Sequence, residues 1–153
     1  MVAILVNGKI KTFSRVPNSW SDENGTHLNI GDGAALGFKE VVQPTYDSRI
    51  EELDNLHLVG DVYTYDVVDK TIPQTLAELK SQKISNLKNI IGSELSKTDW
   101  YIIRESDSGE LVSQSVKDER AGLRTQSDEL EAQIKALTTK KAVVLFDLPN
   151  FMI

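Results

Sequence analysis

The chain has 153 residues and a net charge of −6, and its 40% hydrophobic and 26% charged content describes a globular protein rather than a disordered one. It contains no cysteine, which excludes disulfides, zinc–thiolate sites and thiol catalysis. The charge is uneven: residues 1–70 carry six Lys and Arg against eleven Asp and Glu, and such an acidic front half argues against a nucleic-acid partner. The longest apolar runs, 2–6 and 142–146, are far shorter than a membrane-spanning helix, and the first lacks the basic lead and length of a secretory leader. The expectation is a chain of cytosolic origin with no membrane insertion.

The beginning reads as a β-hairpin. Residues 1–6 are strand-prone, Asn7-Gly8 fits a type I′ turn, and residues 9–13 return with Ile10 alternating against Lys9 and Lys11. From Pro17 to Gly37 the signals are turns, with a short strand over 27–30. Gly31, Gly33 and Gly37 suggest successive tight turns; no following helix or Lys-Ser/Thr pair turns them into a phosphate cradle. Residues 37–42 form a further strand candidate ended by Pro44, and 62–68 is the best strand of this half, rich in β-branched and aromatic residues. Glu51-Glu52-Leu53-Asp54 between them reads as a solvated helical turn.

At Thr71 the periodicity changes. Thr71-Ile72-Pro73-Gln74 fits a capping box, and Leu76, Leu79, Ile84, Leu87, Ile91 and Leu95 recur at helical spacing, predicting a helix over about 72–96. Trp100-Tyr101-Ile102-Ile103-Arg104 is β-prone and would turn back through Ser108-Gly109 to Leu111-Val112 as a short hairpin. A second helix is predicted over about 115–138, where Val116, Leu123, Leu130 and Leu137 fall every seven residues and suggest two-helix packing. Nine of the last twelve residues are apolar. Val143, Leu145 and Phe146 are expected in a strand, and Phe151, Met152 and Ile153 in an apolar groove, of this protein or of a neighbouring subunit. The fold class is therefore α+β: a small antiparallel β unit over 1–70, then a helical unit over 71–153 made of two helices, an intervening short hairpin and a C-terminal strand.

A search for chemistry finds little. His27 and His57 lie thirty residues apart with no metal-ligand spacing, and no Ser, His and acid set carries an elbow motif. Glu105-Ser106-Asp107-Ser108-Gly109-Glu110 holds several oxygen ligands but lacks the alternation of a calcium loop. No catalytic, cofactor-binding or metal-ligating residue is assigned, and no enzyme activity is expected. Among the aromatics, Trp100 and Tyr65 are expected in the core, whereas Trp20, in a Pro/Asn/Ser loop, is expected to be an exposed anchor for a partner.

One segment has a recognisable form. Thr98-Asp99-Trp100 after a Lys-bearing helix, followed by Arg120-Ala121-Gly122-Leu123-Arg124 in an R-x-x-L-R pattern, resembles tail structural and tail-fibre assembly proteins of tailed bacteriophages. Thr98 and Asp99 would cap the turn after the first helix, Trp100 would lie between the two helices, and Arg120 would reach back to Asp99 or a backbone carbonyl. The chain departs from that pattern where Gln114-Ser115 replaces a Pro, and in its extension over 135–153, which favours a component retained in the particle. The resemblance implies a non-catalytic virion protein, made in the host cytoplasm and held in the tail as part of an oligomer or larger assembly with other tail or fibre subunits. The alternatives it leaves are a transient tail-fibre assembly chaperone and a receptor- or carbohydrate-binding module of a fibre.

Overall fold

A computed structural model describes residues 1–150. The protein is α+β, 42% helix and 26% strand, with a strand unit first and helices after it. It divides into two compact units, Met1–Lys70 and Thr71–Ile153.

The first unit is built on a five-stranded sheet. β1 (Val2–Val6) and β2 (Lys9–Phe13) form the expected hairpin, with Asn7 and Gly8 both at positive φ as a type I′ turn requires. β5 (Lys39–Val42) pairs with β1, and the hairpin of β6 (Glu51–Val59) and β7 (Val62–Asp69) completes the order β2-β1-β5-β7-β6. All neighbours are antiparallel except β5 and β7, which run parallel through Val41↔Tyr63 and Val42↔Thr64. β3 (Ser19–Asp22) and β4 (Gly25–Leu28) make a separate two-stranded hairpin, so Ser19–Asp22 is strand where the sequence suggested only turns.

The four residues 51–54 open a nine-residue strand and are not a helical turn. Pairing along β7 takes up the backbone groups on the inner side of this edge strand, and Leu53 lies opposite Val67. That pairing also sets Asp54 against Asp66, a like-charge match. The ladder shifts immediately afterwards, and Asn55, at φ 44°, donates its side-chain amide to Asp66 at 2.7 Å. The irregularity thus supplies a donor where two carboxylates meet.

Ala3, Val41 and Tyr63 are buried together at the middle of the sheet, with Ile10, Leu56 and Tyr65 packed around them. Phe13, Trp20 and Phe38 meet edge-to-face with ring centroids 5.3–5.8 Å apart. Gly33 sits against this cluster at φ 72°, and a Cβ there would come within 2.7 Å of the Phe38 ring. Only glycine satisfies both the backbone and the space.

The second unit is a helical hairpin with two short additions. α1 (Leu76–Ser96) begins at Thr75, whose hydroxyl takes the Glu78 amide while Glu78 accepts the Thr75 N–H at 2.7 Å. The capping box is therefore Thr75–Glu78 and not Thr71–Gln74. A carboxylate is the stronger acceptor and also complements the positive helix N-terminus. α3 (Gln114–Ala136), capped by Ser113, runs antiparallel to α1, as Lys88–Glu131 at 3.2 Å and the Lys80 to Lys135 carbonyl bond at 2.6 Å require. Leu87, Ile91 and Ile134 form the core, with Ile84, Leu95, Leu123 and Leu130 beside them.

Two expected strands are helices. Thr98–Arg104 does not begin a hairpin: α2 (Asp99–Ser108) runs through it and ends at Gly109, which has φ 74° and donates to the Glu105 carbonyl. The apolar segment 143–146 is not a strand either; α4 (Lys140–Leu145) covers most of it, with Thr139 as N-cap. The reason is common to both. Among the described residues the second unit contains no strand, so a lone extended segment would leave its N–H and C=O groups unpaired. A helix satisfies them locally.

Candidate interaction surface

The junction of α1, α2 and α3 is organised by one side chain. Arg120 is buried, and its guanidinium donates to the Leu95 carbonyl at 2.7 Å, the Thr98 hydroxyl at 2.7 Å and the Asp99 carboxylate at 2.9 Å. Thr98 in turn donates to the Leu95 carbonyl at 3.1 Å. The Leu95 carbonyl at the end of α1 and the side chains of Thr98 and Asp99 at the start of α2 are thus fastened to α3. Leu123 packs in the helical core, whereas Arg124 of the same motif is exposed.

Trp100 does not lie between the helices. It is 49% exposed, and Ile103, one turn on, is 67% exposed. On α2 only Tyr101 and Glu105, spaced i, i+4, turn inward; Trp100, Ile103 and Arg104 share the outer side. Trp100 stacks on Tyr101 with centroids 3.7 Å apart, and the Arg104 guanidinium lies 4.9 Å from the indole centroid. Arg104 also pairs with Glu110 at 3.1 Å, and Glu105 with Lys117 at 3.1 Å. The acidic stretch 105–110 is therefore the end of α2 and the two residues after it, with two of its carboxylates already matched by cations. The result is a preordered aromatic platform on a short exposed helix.

The residues expected to bind partners are placed differently. Val143 is fully buried, Phe146 packs on the Leu87–Ile91–Ile134 core, and Leu145 is half-buried. Phe151, Met152 and Ile153 lie outside the described residues. Trp20 is half-buried in the aromatic cluster with Lys11 5.8 Å from its ring, and it borders an open cleft of about 660 Å³ with Asp22, Glu23 and Asn24. A smaller groove of about 180 Å³ runs between α1 and α4, lined by Leu79, Gln82, Lys83, Asn86, Val143 and Val144. Lys83, in its lining, donates to the Val144 and Phe146 carbonyls.

Both histidines and several carboxylates are engaged in structure. His27 meets Asp22 at 3.1 Å, a bond that, with the Asn24 amide, holds the Asp22 carboxyl below its ordinary range. His57 donates from Nδ1 to the Asn55 carbonyl at 2.9 Å. Lys135 first and Lys88 second hold the Glu131 carboxyl down in the same way. Among the described residues no three His, Asp or Glu side chains converge to hold a metal ion, and no helix is long and apolar enough to cross a membrane. Compared with protein-family models, with curated proteins and with solved structures, the chain matches none.

Proposed function

We propose that the chain is a non-catalytic tail-associated virion protein of a tailed bacteriophage, binding other tail or fibre subunits. One observation carries the reading. The two segments on which the resemblance rests, Thr98-Asp99-Trp100 and the R-x-x-L-R of α3, are joined by the Arg120 hydrogen bonds, and that junction leaves Trp100 facing outward. Large exposed aromatics beside an Arg are the usual anchors of protein interfaces. An Arg spent on a carbonyl, a hydroxyl and a carboxylate is a fastener, so the motif supports presentation of a surface rather than chemistry.

Mass spectrometry of particles purified from the encoding phage tests this. A retained component appears in a fixed ratio to known tail subunits. Presence in assembling lysate but not in particles would move the protein to the transient chaperone, and absence from both would refute the reading. The cleft beside Trp20 favours one further reading, a carbohydrate-binding module, since an aromatic ring with nearby carboxylates and amides suits a sugar. A change in emission of the full chain carrying Trp100→Phe, whose remaining tryptophan is Trp20, on titration with host surface glycan would support it, and an unchanged spectrum would remove it.

A further inference from the structure

The two ends of the α1–α3 hairpin carry opposite charge. At the α2 end, residues 94–120 hold seven acids against four cations. At the α4 end, residues 76–88 and 131–147 together hold six Lys against three acids. The excess is therefore three negative at one end and three positive at the other. Each end also presents one half of an apolar contact: Trp100 and Ile103 stand out from the acidic end, and the groove between α1 and α4 opens at the basic end. An apolar cavity of about 150 Å³ accepts a benzene ring. The groove, at about 180 Å³, therefore fits one aromatic side chain rather than a helix.

We infer that the chain associates with a second copy of itself head to tail, the Trp100 ring of one copy entering the α1–α4 groove of the next while the acidic rim of α2 meets the Lys-rich end. The inference rests on the reading of the protein as a non-catalytic assembling subunit and names its first partner. Charge favours this occupant over a symmetric pairing of two α2 helices, which would bring two surfaces of the same excess negative charge together. The contact joins two different surfaces, so it repeats from copy to copy and generates a ring or a helical row rather than a closed pair. A tail, built of repeated subunits, has use for such a contact.

Sedimentation velocity of the full chain from about 1 to about 200 µM, where contacts of micromolar strength become populated, tests it directly. Self-association is expected, weaker at high salt because the paired ends are solvent-exposed charge. Trp100→Ala should raise the dissociation constant by roughly tenfold or more, as loss of an interface hot spot does. Asn86→Trp, an exposed position in the groove wall, should do the same by filling the groove. Circular dichroism of both variants should match the parent. Mixed together, the two impaired variants should form one-to-one dimers, because one retains the ring and the other the groove. A parent chain that stays monomeric throughout overturns the inference, as does association that survives Asn86→Trp. Detection in purified particles is a separate measurement, so loss of this contact leaves the tail reading standing and the reverse also holds.

Discussion

Arg120 satisfies three acceptors from a single side chain, two of them belonging to the end of α1 and the turn into α2. Hydrogen bonds made by a charged donor contribute about 1.5–3 kcal/mol each, less where the partner is wet, as Asp99 is. Arg120→Met should therefore cost about 2–4 kcal/mol in urea unfolding. Arg120→Lys should recover only part of that, since an ammonium cannot span the same planar fork. By contrast Trp100→Ala should change stability by no more than about 0.5 kcal/mol, as at other surface positions. A loss near 3 kcal/mol, the mark of a truncated core aromatic, would contradict the exposure seen here. The reach of Arg120 back to Asp99 was legible in the sequence, because Thr-Asp after one helix and Arg within the next are chemically complementary. The orientation of Trp100 was not. Residues 100–103 are all apolar, and a run without polar interruption has no period from which to read an inner face.

The two short helices show the same limit at the next scale. β-branched and aromatic residues in 100–103 and 142–146 favour strand locally, yet a strand needs a neighbour, and α1 and α3 supply only helical surfaces. α4 uses its apolar residues to cover α1, with Val143 fully buried. Val143→Ala should therefore destabilise by about 1.5–3 kcal/mol, the value of a buried Val side chain, which thermal or urea unfolding would register. The long helices were readable because their apolar residues recur over several turns; only their ends moved. Thr71–Gln74 and Thr75–Glu78 both match a capping box, and the sequence does not choose between them. Thr75→Ala should cost about 1 kcal/mol. Its pH dependence follows from Glu78, whose carboxyl the Thr75 amide and hydroxyl hold below the ordinary glutamate range. A depressed carboxyl stabilises the fold at neutral pH, and the contribution fades as acid protonates it. Thr75→Ala keeps the amide donor and loses the hydroxyl, so the hydroxyl's share of the difference between wild type and variant should fade below the ordinary glutamate pKa and stay constant above it.

For the whole molecule, the strand-then-helix order follows from periodicity switching at Thr71, so the α+β class was open to inspection. Far-UV circular dichroism should return helix near 42% and strand near 26%, and a helix content above about half would be incompatible with it. What the sequence concealed was β6, because Glu51, Glu52 and Asp54 make its first half look like solvated surface. Their side chains tolerate that position because β6 lies at the edge of the sheet, where charge also discourages pairing with other chains.

The strand order has a further consequence for how the sheet comes apart. Each outer pair is a local hairpin with a long ladder, five residue pairs for β1–β2 and seven for β6–β7. β5 is joined to each side through only two, Val2↔Glu40 and Ala3↔Lys39 on one flank and Val41↔Tyr63 and Val42↔Thr64 on the other. The midline, not the margin, is thus the seam with the least backbone pairing, and the buried Ala3–Val41–Tyr63 cluster is what keeps it shut. Native-state hydrogen exchange should find the amides of β5 opening at lower free energy than those inside either hairpin. Val41→Ala should widen that gap while leaving protection within β6–β7 unchanged. Under load or heat the sheet would divide into two intact hairpins, parting along its centre line before either edge unravels.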